Sequence, residues 1–167
     1  CALPICASIV EAIANKYSSY TKIQFLGKGI HVPIAKEGAL KFKEMTYLET
    51  GAYPLGELKH GPIAIIDESV LSIILLPTDS LFEVGLNSVE QIKSKGGKVL
   101  LITDESVRGH PVCLKVDDVI FIPHLDYDIF YPFLEIIPIQ LFAYYFAKAL
   151  GRNIDKPRNL AKSVTVQ

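Results

Sequence analysis

The sequence contains few cysteines and almost no net charge. Its three cysteines, Cys1, Cys6 and Cys113, are too few and too scattered for a disulfide framework, and no matching Cys or His pair completes a zinc site. We therefore interpret them as small apolar residues of a protein in a reducing compartment. The formal charge of −1 gives no broad attraction to nucleic acid or anionic lipid, so local groups must hold any anionic ligand.

Signal-peptide patterns, internal repeats, linkers and low-complexity tracts are also missing. The sequence does not begin with methionine and opens inside a predicted helix, residues 1–18, which suggests a piece of a longer protein. One apolar stretch, residues 129–150, is long enough to span a bilayer. It contains Glu135, Gln140 and Lys148, and charges at bilayer depth are costly, so we expect a core or interface helix and a cytoplasmic protein.

What the sequence does have is an alternation of helical and strand patterns. Half of the 167 residues are hydrophobic and 21% are charged, as in a single globular domain. The patterns predict helices over residues 1–18, 33–48 and 80–95 and after Asp128, and strands over 22–27, 46–52, 71–77, 98–104 and 118–123. We expect Leu81, Val84, Val89 and Ile92 to form the buried side of the helix 80–95. The alternation predicts an α/β fold: a three-layer αβα sandwich with a mostly parallel, about five-stranded, flavodoxin-like sheet.

The segment GAYPLGELKHGP, residues 51–62, contains the first candidate for chemistry. His60 stands directly before Gly61-Pro62. Pro62 disfavours the helical region for Gly61 and favours an extended conformation, so a helix or turn should stop here. An imidazole on such a fixed loop can both give and take protons near neutral pH. On sequence alone, an ordinary surface histidine explains the pattern equally well.

The segment EGALKFKE, residues 37–44, contains the second candidate. Glu37, Lys41 and Glu44 stand at helical spacing and share one helix face. A surface salt bridge from Glu37 to Lys41 explains this spacing more simply than catalysis does. A carboxylate beside the buried side of the helix is nevertheless a suitable proton carrier.

Other candidates have simpler explanations. Lys162 reads as a solvated lysine of the tail, although a lysine in a closed pocket could attack a carbonyl. Residues 27–29, Gly-Lys-Gly, suggest a tight turn as readily as a phosphate loop. Residues 78–80, Thr-Asp-Ser, predict a helix N-cap and less readily a phosphate site. The remaining histidines are interpreted as structural, and they are His31, His110 and His124.

Three segments resemble the glutamine–fructose-6-phosphate aminotransferase family: EGALKFKEMTYLE (37–49), GAYPLGELKHGPIAIID (51–67) and KPRNLAKSVTVQ (156–167). The resemblance implies that residues 1–167 form a single sugar-isomerase (SIS) domain, the second SIS half of that enzyme. It also implies that the glutaminase domain and the first SIS half, whose Ser/Thr-rich loops hold the sugar phosphate, are outside this chain.

The resemblance further implies roles for individual residues. Glu44 matches the base that moves a proton between C1 and C2 of the sugar imine. His60 matches the histidine of furanose ring opening, contributed to the site of the neighbouring subunit of a homodimer. Lys162 matches the lysine that forms an imine with the sugar ketone. Glu37, Lys41 and Ala161 match substrate-binding positions. The partner is a sugar phosphate, fructose 6-phosphate or glucosamine 6-phosphate, without metal, cofactor, nucleic acid or membrane.

Two alternatives remain open from the sequence. A non-catalytic, sugar-phosphate-binding SIS regulatory module would not need Glu44, His60 and Lys162 together. An interaction domain that only dimerises could use the apolar helix 129–150 as its surface.

Overall fold

The computed structural model describes residues 3–160 of the chain, and of residues 3–6 only the backbone. Five helices are present in this part of the chain: α1 (Leu3–Tyr17), α2 (His31–Thr46), α3 (Phe82–Ser94), α4 (Val112–Lys115) and α5 (Tyr131–Ala149). Five strands alternate with them: β1 (Lys22–Gly27), β2 (Thr50–Pro54), β3 (Val70–Leu75), β4 (Lys98–Asp104) and β5 (Asp118–Ile122). Short 3₁₀ helices cover Leu55–His60, Pro62–Ile65, Glu105–Val107 and Asp128–Phe130.

The five strands form one sheet in the order β2-β1-β3-β4-β5, and every neighbouring pair is parallel. This is the flavodoxin-like doubly wound order, in which the chain changes direction across the sheet between β1 and β3. The predicted α/β sandwich with a five-stranded parallel sheet is therefore confirmed. The strand β2 lies at one edge of the sheet.

Each face of the sheet is covered by its own layer and its own apolar core. Helices α1, α2 and α5 cover one face, where Phe42, Phe142 and Phe146 pack against strand residues such as Phe25. Helix α3 and the 3₁₀ helices after β2 cover the other face. Because it is covered on both faces, β3 is buried at every position, as the unbroken apolar run predicts.

Helix α5 lies within the apolar stretch 129–150, which by its length could span a bilayer. Together with the preceding turn it is, by length and composition only, long and apolar enough to cross a membrane. In this fold it packs along α1 and α2 and supplies aromatic side chains to their core. Its Glu135 is fully buried and points into a polar cluster described below.

Two local predictions were wrong. The second strand occupies Thr50–Pro54 rather than 46–52, because α2 continues to Thr46 and ends at Tyr47 without a glycine. Val84 is 52% exposed, whereas Val89 and Ile92 are buried as predicted, together with Phe82, Gly85 and Ser88. Gly85 faces the side chain of Leu76 so closely that a Cβ would clash with it. The contact between α3 and Leu76 therefore depends on a small residue, which a search for apolar residues does not detect.

Candidate active site

The two carboxylates and the lysine of α2 form an ion-pair ladder at the protein surface. Lys41 Nζ lies 2.8 Å from Glu44 Oε2 and 3.9 Å from Glu37 Oε1, so its main partner is Glu44 rather than the predicted Glu37. The hydrogen bond from Lys41 to Glu44 raises the pKa of Lys41, which keeps the ammonium charged. Phe42 anchors the opposite side of the helix in the core and fixes its orientation. The ladder thus offers a partly exposed carboxylate, with 26% side-chain exposure, beside a fixed positive charge.

His60 is the last residue of the 3₁₀ helix Leu55–His60, and its side chain is exposed. Leu55 and Leu58 are buried and hold this helix on the sheet. Gly61 ends it with φ 142° and ψ −60°, a conformation open to glycine alone rather than the extended one that Pro62 predicts. Between residues 7 and 160, no hydrogen bond or ion pair engages the imidazole. The backbone at His60 is therefore held by a packed 3₁₀ helix, and its side chain faces outward.

Glu44 and His60 belong to opposite layers of the fold. Glu44 is on α2, which packs with α1 and α5, whereas the helix bearing His60 packs with Leu26 and Ile74 on the other face. No hydrogen bond or ion pair between the two is found in the part of the chain whose side chains are described. The remaining predicted site residues, Ala161 and Lys162, lie outside the described residues.

Paired side chains occupy the crevice where a doubly wound sheet usually binds a ligand. It lies between the loops that follow β1 and β3. His31, at the start of α2, reaches across it: Nδ1 lies 2.9 Å from Glu135 Oε2, and Nε2 lies 3.0 Å from Asp79 Oδ2. A Cβ on Gly27 would lie 2.6 Å from the carbonyl oxygen of His31, so residues 27–29 form a tight strand-to-helix turn. The interpretation of this loop as a turn is therefore the correct one.

The three ionisable groups in this crevice depend on one another. Burial alone lowers the pKa of His31, but the hydrogen bonds and charges of Glu135 and Asp79 outweigh it, and the pKa is raised. Burial raises the pKa of Glu135, although the neighbouring His31 partly opposes it. The cluster joins α2, the β3–α3 loop and α5. The cluster holds these three elements together, and this agrees with the structural interpretation of His31 from the sequence.

A second polar cluster occupies the same edge of the sheet, at the ends of β4 and β5. Asp104 is fully buried and accepts hydrogen bonds from the backbone and hydroxyl of Thr78, at 2.6 and 2.7 Å, and from those of Ser106, at 3.0 and 2.6 Å. Burial raises the pKa of Asp104, but these donors outweigh it and lower the pKa to about 2. His124 Nδ1 lies 3.0 Å from the same carboxylate.

These contacts decide between the two interpretations of residues 78–80. The amide and hydroxyl of Thr78 are already taken by the carboxylate of Asp104. Asp79 accepts a hydrogen bond from the backbone of Leu81 at 2.8 Å, but α3 begins only at Phe82 and its cap residue, Leu81, has no side-chain cap bond. The predicted N-cap is therefore displaced, and an internal anion occupies the donors that a phosphate would use.

Sequence reasoning did not foresee the partners of His31 and Asp104, because both clusters join residues that are distant along the chain. One signal was available: a single glutamate, Glu135, inside the most apolar stretch of the sequence. A charged residue in such a stretch requires a buried partner. The identity of that partner depends on the order of the strands.

Comparison with known protein families identifies the class of protein to which this fold belongs. Residues 16–148 match the SIS domain, and the chain belongs to that family.

Curated relatives narrow the class. The chain is 42% identical over 158 residues to the glutamine–fructose-6-phosphate aminotransferase of Mesorhizobium japonicum and 43% identical over 164 residues to that of Aquifex aeolicus. These alignments cover 95% and 96% of the chain but only 26% and 27% of the relatives, so the chain spans about a quarter of their length. The C-terminal domain of glucosamine-fructose-6-phosphate aminotransferase from Francisella tularensis is a similar solved structure. Its TM-score is 0.82 at 33% identity, over 93% of this chain and 44% of that one.

Proposed function

We propose that this chain is the second SIS half of an isomerising aminotransferase. The complete enzyme converts fructose 6-phosphate and glutamine to glucosamine 6-phosphate and glutamate. The observation that carries the proposal is identity above 40% to such enzymes along nearly the whole chain, in relatives about four times as long. In this proposal the chain supplies reactive groups, and other parts of the complete protein supply ammonia.

Glu44 is the proposed base for proton transfer between C1 and C2 of the sugar. One base must reach both carbons, and a carboxylate on a rigid helix can do so. Phe42 packs in the core and fixes the orientation of α2, and Lys41 Nζ lies 2.8 Å from Glu44 Oε2. Both contacts support this role. Lys41 and Glu37 are proposed to bind substrate from the same helix face, where Lys41 offers a protonated amine to a sugar oxygen.

His60 is the proposed proton carrier for opening the sugar ring, and it acts in the site of a second subunit. The cyclic ketose hides its carbonyl, so a group that exchanges protons near neutral pH must open it. An outward-facing imidazole on the layer opposite Glu44 supports a contribution across a homodimer. The alternative, a site built from one chain, would require Glu44 and His60 to meet around the β2 edge of the sheet.

Lys162 is the proposed nucleophile toward the ketone at C2 of the sugar. Its amine adds to the carbonyl and one water molecule leaves, which gives an imine that ammonia then displaces. Ala161 is proposed to bind substrate beside it. The full reaction transfers the amide nitrogen of glutamine to the sugar and needs no external oxidant or reductant.

The ligand of the chain is proposed to be a sugar phosphate in the cytoplasm. The phosphate is expected to be held mainly by the other SIS half. In support of this, the amide and hydroxyl of Thr78 at the carboxyl edge of the present sheet already bind Asp104, and His31 with its two partners occupies the crevice between β1 and β3.

Replacing the proposed base tests the function. In the full-length enzyme, Glu44→Gln should lower kcat by at least about 100-fold, since general bases contribute roughly that much or more, while sugar phosphate binding persists. Exchange of the C1 proton with deuterated water, followed by mass spectrometry, should be lost in the same variant. Glu49→Gln is the matched control and should stay active, because Glu49 follows the same helix and its carboxylate is 87% exposed and paired with Lys43. Normal turnover by the Glu44 variant would refute the proposal.

The regulatory-module alternative predicts a different set of results. It predicts calorimetric binding of hexose phosphates by the complete protein with no aminotransfer or isomerisation. The same measurements on the unmodified protein therefore distinguish the two functions.

A further inference from the structure

The last described residues are attached to the end of α2 by one tyrosine. Tyr47 caps α2, and its hydroxyl accepts a hydrogen bond from the backbone amide of Arg158 at 2.9 Å. The guanidinium carbon of Arg158 lies 4.2 Å from the centre of the Tyr47 ring, and that of Arg152 lies 5.2 Å from it. A single side chain thus combines two cation–π contacts with a hydrogen bond to the tail backbone. We name this contact the tail clamp.

Backbone strain is concentrated at the two ends of the tail clamp. Among residues 3–160, Tyr47 (φ 66°) and Asn159 (φ 63°) are the only non-glycine residues with positive φ. This conformation costs a side-chain-bearing residue free energy and persists where the surrounding contacts require it. One of the two residues bears the clamping ring, and the other directly follows the clamped Arg158.

The tail clamp lies close to the proposed base. Tyr47 is the cap residue of α2 and follows Glu44 by three residues, so the backbone at Tyr47 is at most about 11 Å from the backbone at Glu44. Lys162 follows Arg158 by four residues, and a fully extended chain of four residues spans at most about 14 Å. Anchoring Arg158 on Tyr47 therefore sets an upper limit on the distance between this anchor and the backbone of residue 162.

We propose that Tyr47 is a positioning residue of the active site: by clamping Arg158 it sets where the C-terminal tail starts its approach to Glu44. This inference rests on the proposed function for its catalytic consequence, but the clamp itself is a separate physical claim. Tyr47 touches neither substrate nor reacting atoms in this account. It acts on the tail, and the tail carries the proposed imine-forming lysine.

The clamp can be tested on the 167-residue chain without any activity measurement. Tyr47→Phe keeps the ring and removes the hydroxyl, so hydrogen exchange at the Arg158 amide should accelerate. Tyr47→Leu removes the ring as well, and trypsin cleavage of the Arg158–Asn159 bond should rise roughly tenfold, as expected for losing a cation–π contact and a hydrogen bond together. Arg158→Gln, an exposed tail change that leaves α2 intact, should accelerate exchange at the neighbouring tail amides. Tyr127→Leu, at a 71% exposed tyrosine outside the clamp, is the control.

The catalytic consequence is tested in the full-length enzyme. Tyr47→Leu should lower kcat roughly tenfold with little change in KM for the sugar phosphate, and Tyr47→Phe should retain an intermediate kcat, following the same losses. Unchanged exchange and cleavage in Tyr47→Leu would overturn the clamp. A loosened tail with unchanged kcat would overturn the positioning role. An active Glu44→Gln enzyme would instead refute the proposed function, and the exchange and cleavage results would still stand.

Discussion

At the scale of single residues, the buried charges of this domain serve its architecture, and the candidate catalytic groups remain at its surface. Asp104 and Glu135 are fully buried; Asp104 has several hydrogen-bond partners and Glu135 is paired with His31. Glu44 and His60, in contrast, are accessible. This division agrees with the chemistry, because a group that exchanges protons with a substrate must be reachable. Ranking ionisable residues by burial would select the structural ones.

Asp104 makes the stability of the domain dependent on acid. Its pKa is lowered from 3.8 to about 2, so its contribution is fully present above pH 3.8 and is lost as the pH falls toward 2. The shift corresponds to about 2 kcal/mol of unfolding free energy. Asp104→Asn should lower the unfolding free energy at pH 7 by at least that amount. The difference in unfolding free energy between wild type and variant should decrease toward pH 2. Urea unfolding at several pH values measures it.

Asp128→Asn, at an exposed carboxylate, is the control for this series and should change little. If the difference in unfolding free energy between wild type and Asp104→Asn stayed constant from pH 7 to pH 2, the assignment of a lowered pKa to Asp104 would be wrong.

Local motifs were enough to make Glu44 and His60 candidates, but their catalytic roles came from the family resemblance and stay predictions. Helical spacing placed Glu44 beside Lys41, and Gly61-Pro62 marked the end of the segment with His60. Tyr47 was not identifiable, since a tyrosine at a helix end carries no signal and its partner, Arg158, is 111 residues away.

At the scale of elements, the connection from β2 to β3 decides where His60 points. This connection contains two short 3₁₀ helices instead of a long α-helix, and Gly61 forms the corner between them. A φ of 142° is unfavourable for any residue with a side chain. The direction of the imidazole therefore depends on this glycine.

Gly61→Ala should destabilise the domain by about 1–3 kcal/mol, the typical cost of such backbone strain, and should lower activity in the full-length enzyme by turning His60 away. Gly56→Ala in the preceding helix is the matched control, because nothing lies within 4 Å of the added carbon and its φ is ordinary. Denaturant unfolding of both variants gives the comparison. Equal stability of the two variants would show that the corner is not strained.

Four of the five strands were predictable to within about two residues, because buried parallel strands are continuous apolar runs bounded by glycine, proline or charge. The edge strand β2 was misplaced. Its sequence, TGAYP, is neither alternating nor strongly apolar, and the helix before it ends without a glycine. The sequence alone could not reveal the strand order, which depends on long-range pairing.

At the scale of the whole molecule, the α/β sandwich separates the proposed reactive groups onto its two outer layers. Helix α2 holds Glu44 on one layer, and the connection after β2 holds His60 on the other. Symmetric dimers can reunite such groups, because each interface residue meets its counterpart surface on the second chain. The resemblance of the sequence implied this sharing, and the separation of the two layers gives it a physical reason.

Mixing two inactive variants of the full-length enzyme tests this sharing most directly. Glu44→Gln and His60→Asn chains are each prepared as inactive homodimers, then dissociated, mixed in equal amounts and reassociated. If each site takes Glu44 from one chain and His60 from the other, every mixed dimer regains one complete site, and random pairing restores about one quarter of wild-type activity. Activity that stays at the level of the separate variants, with mixed dimers verified by mass spectrometry, would contradict the shared site.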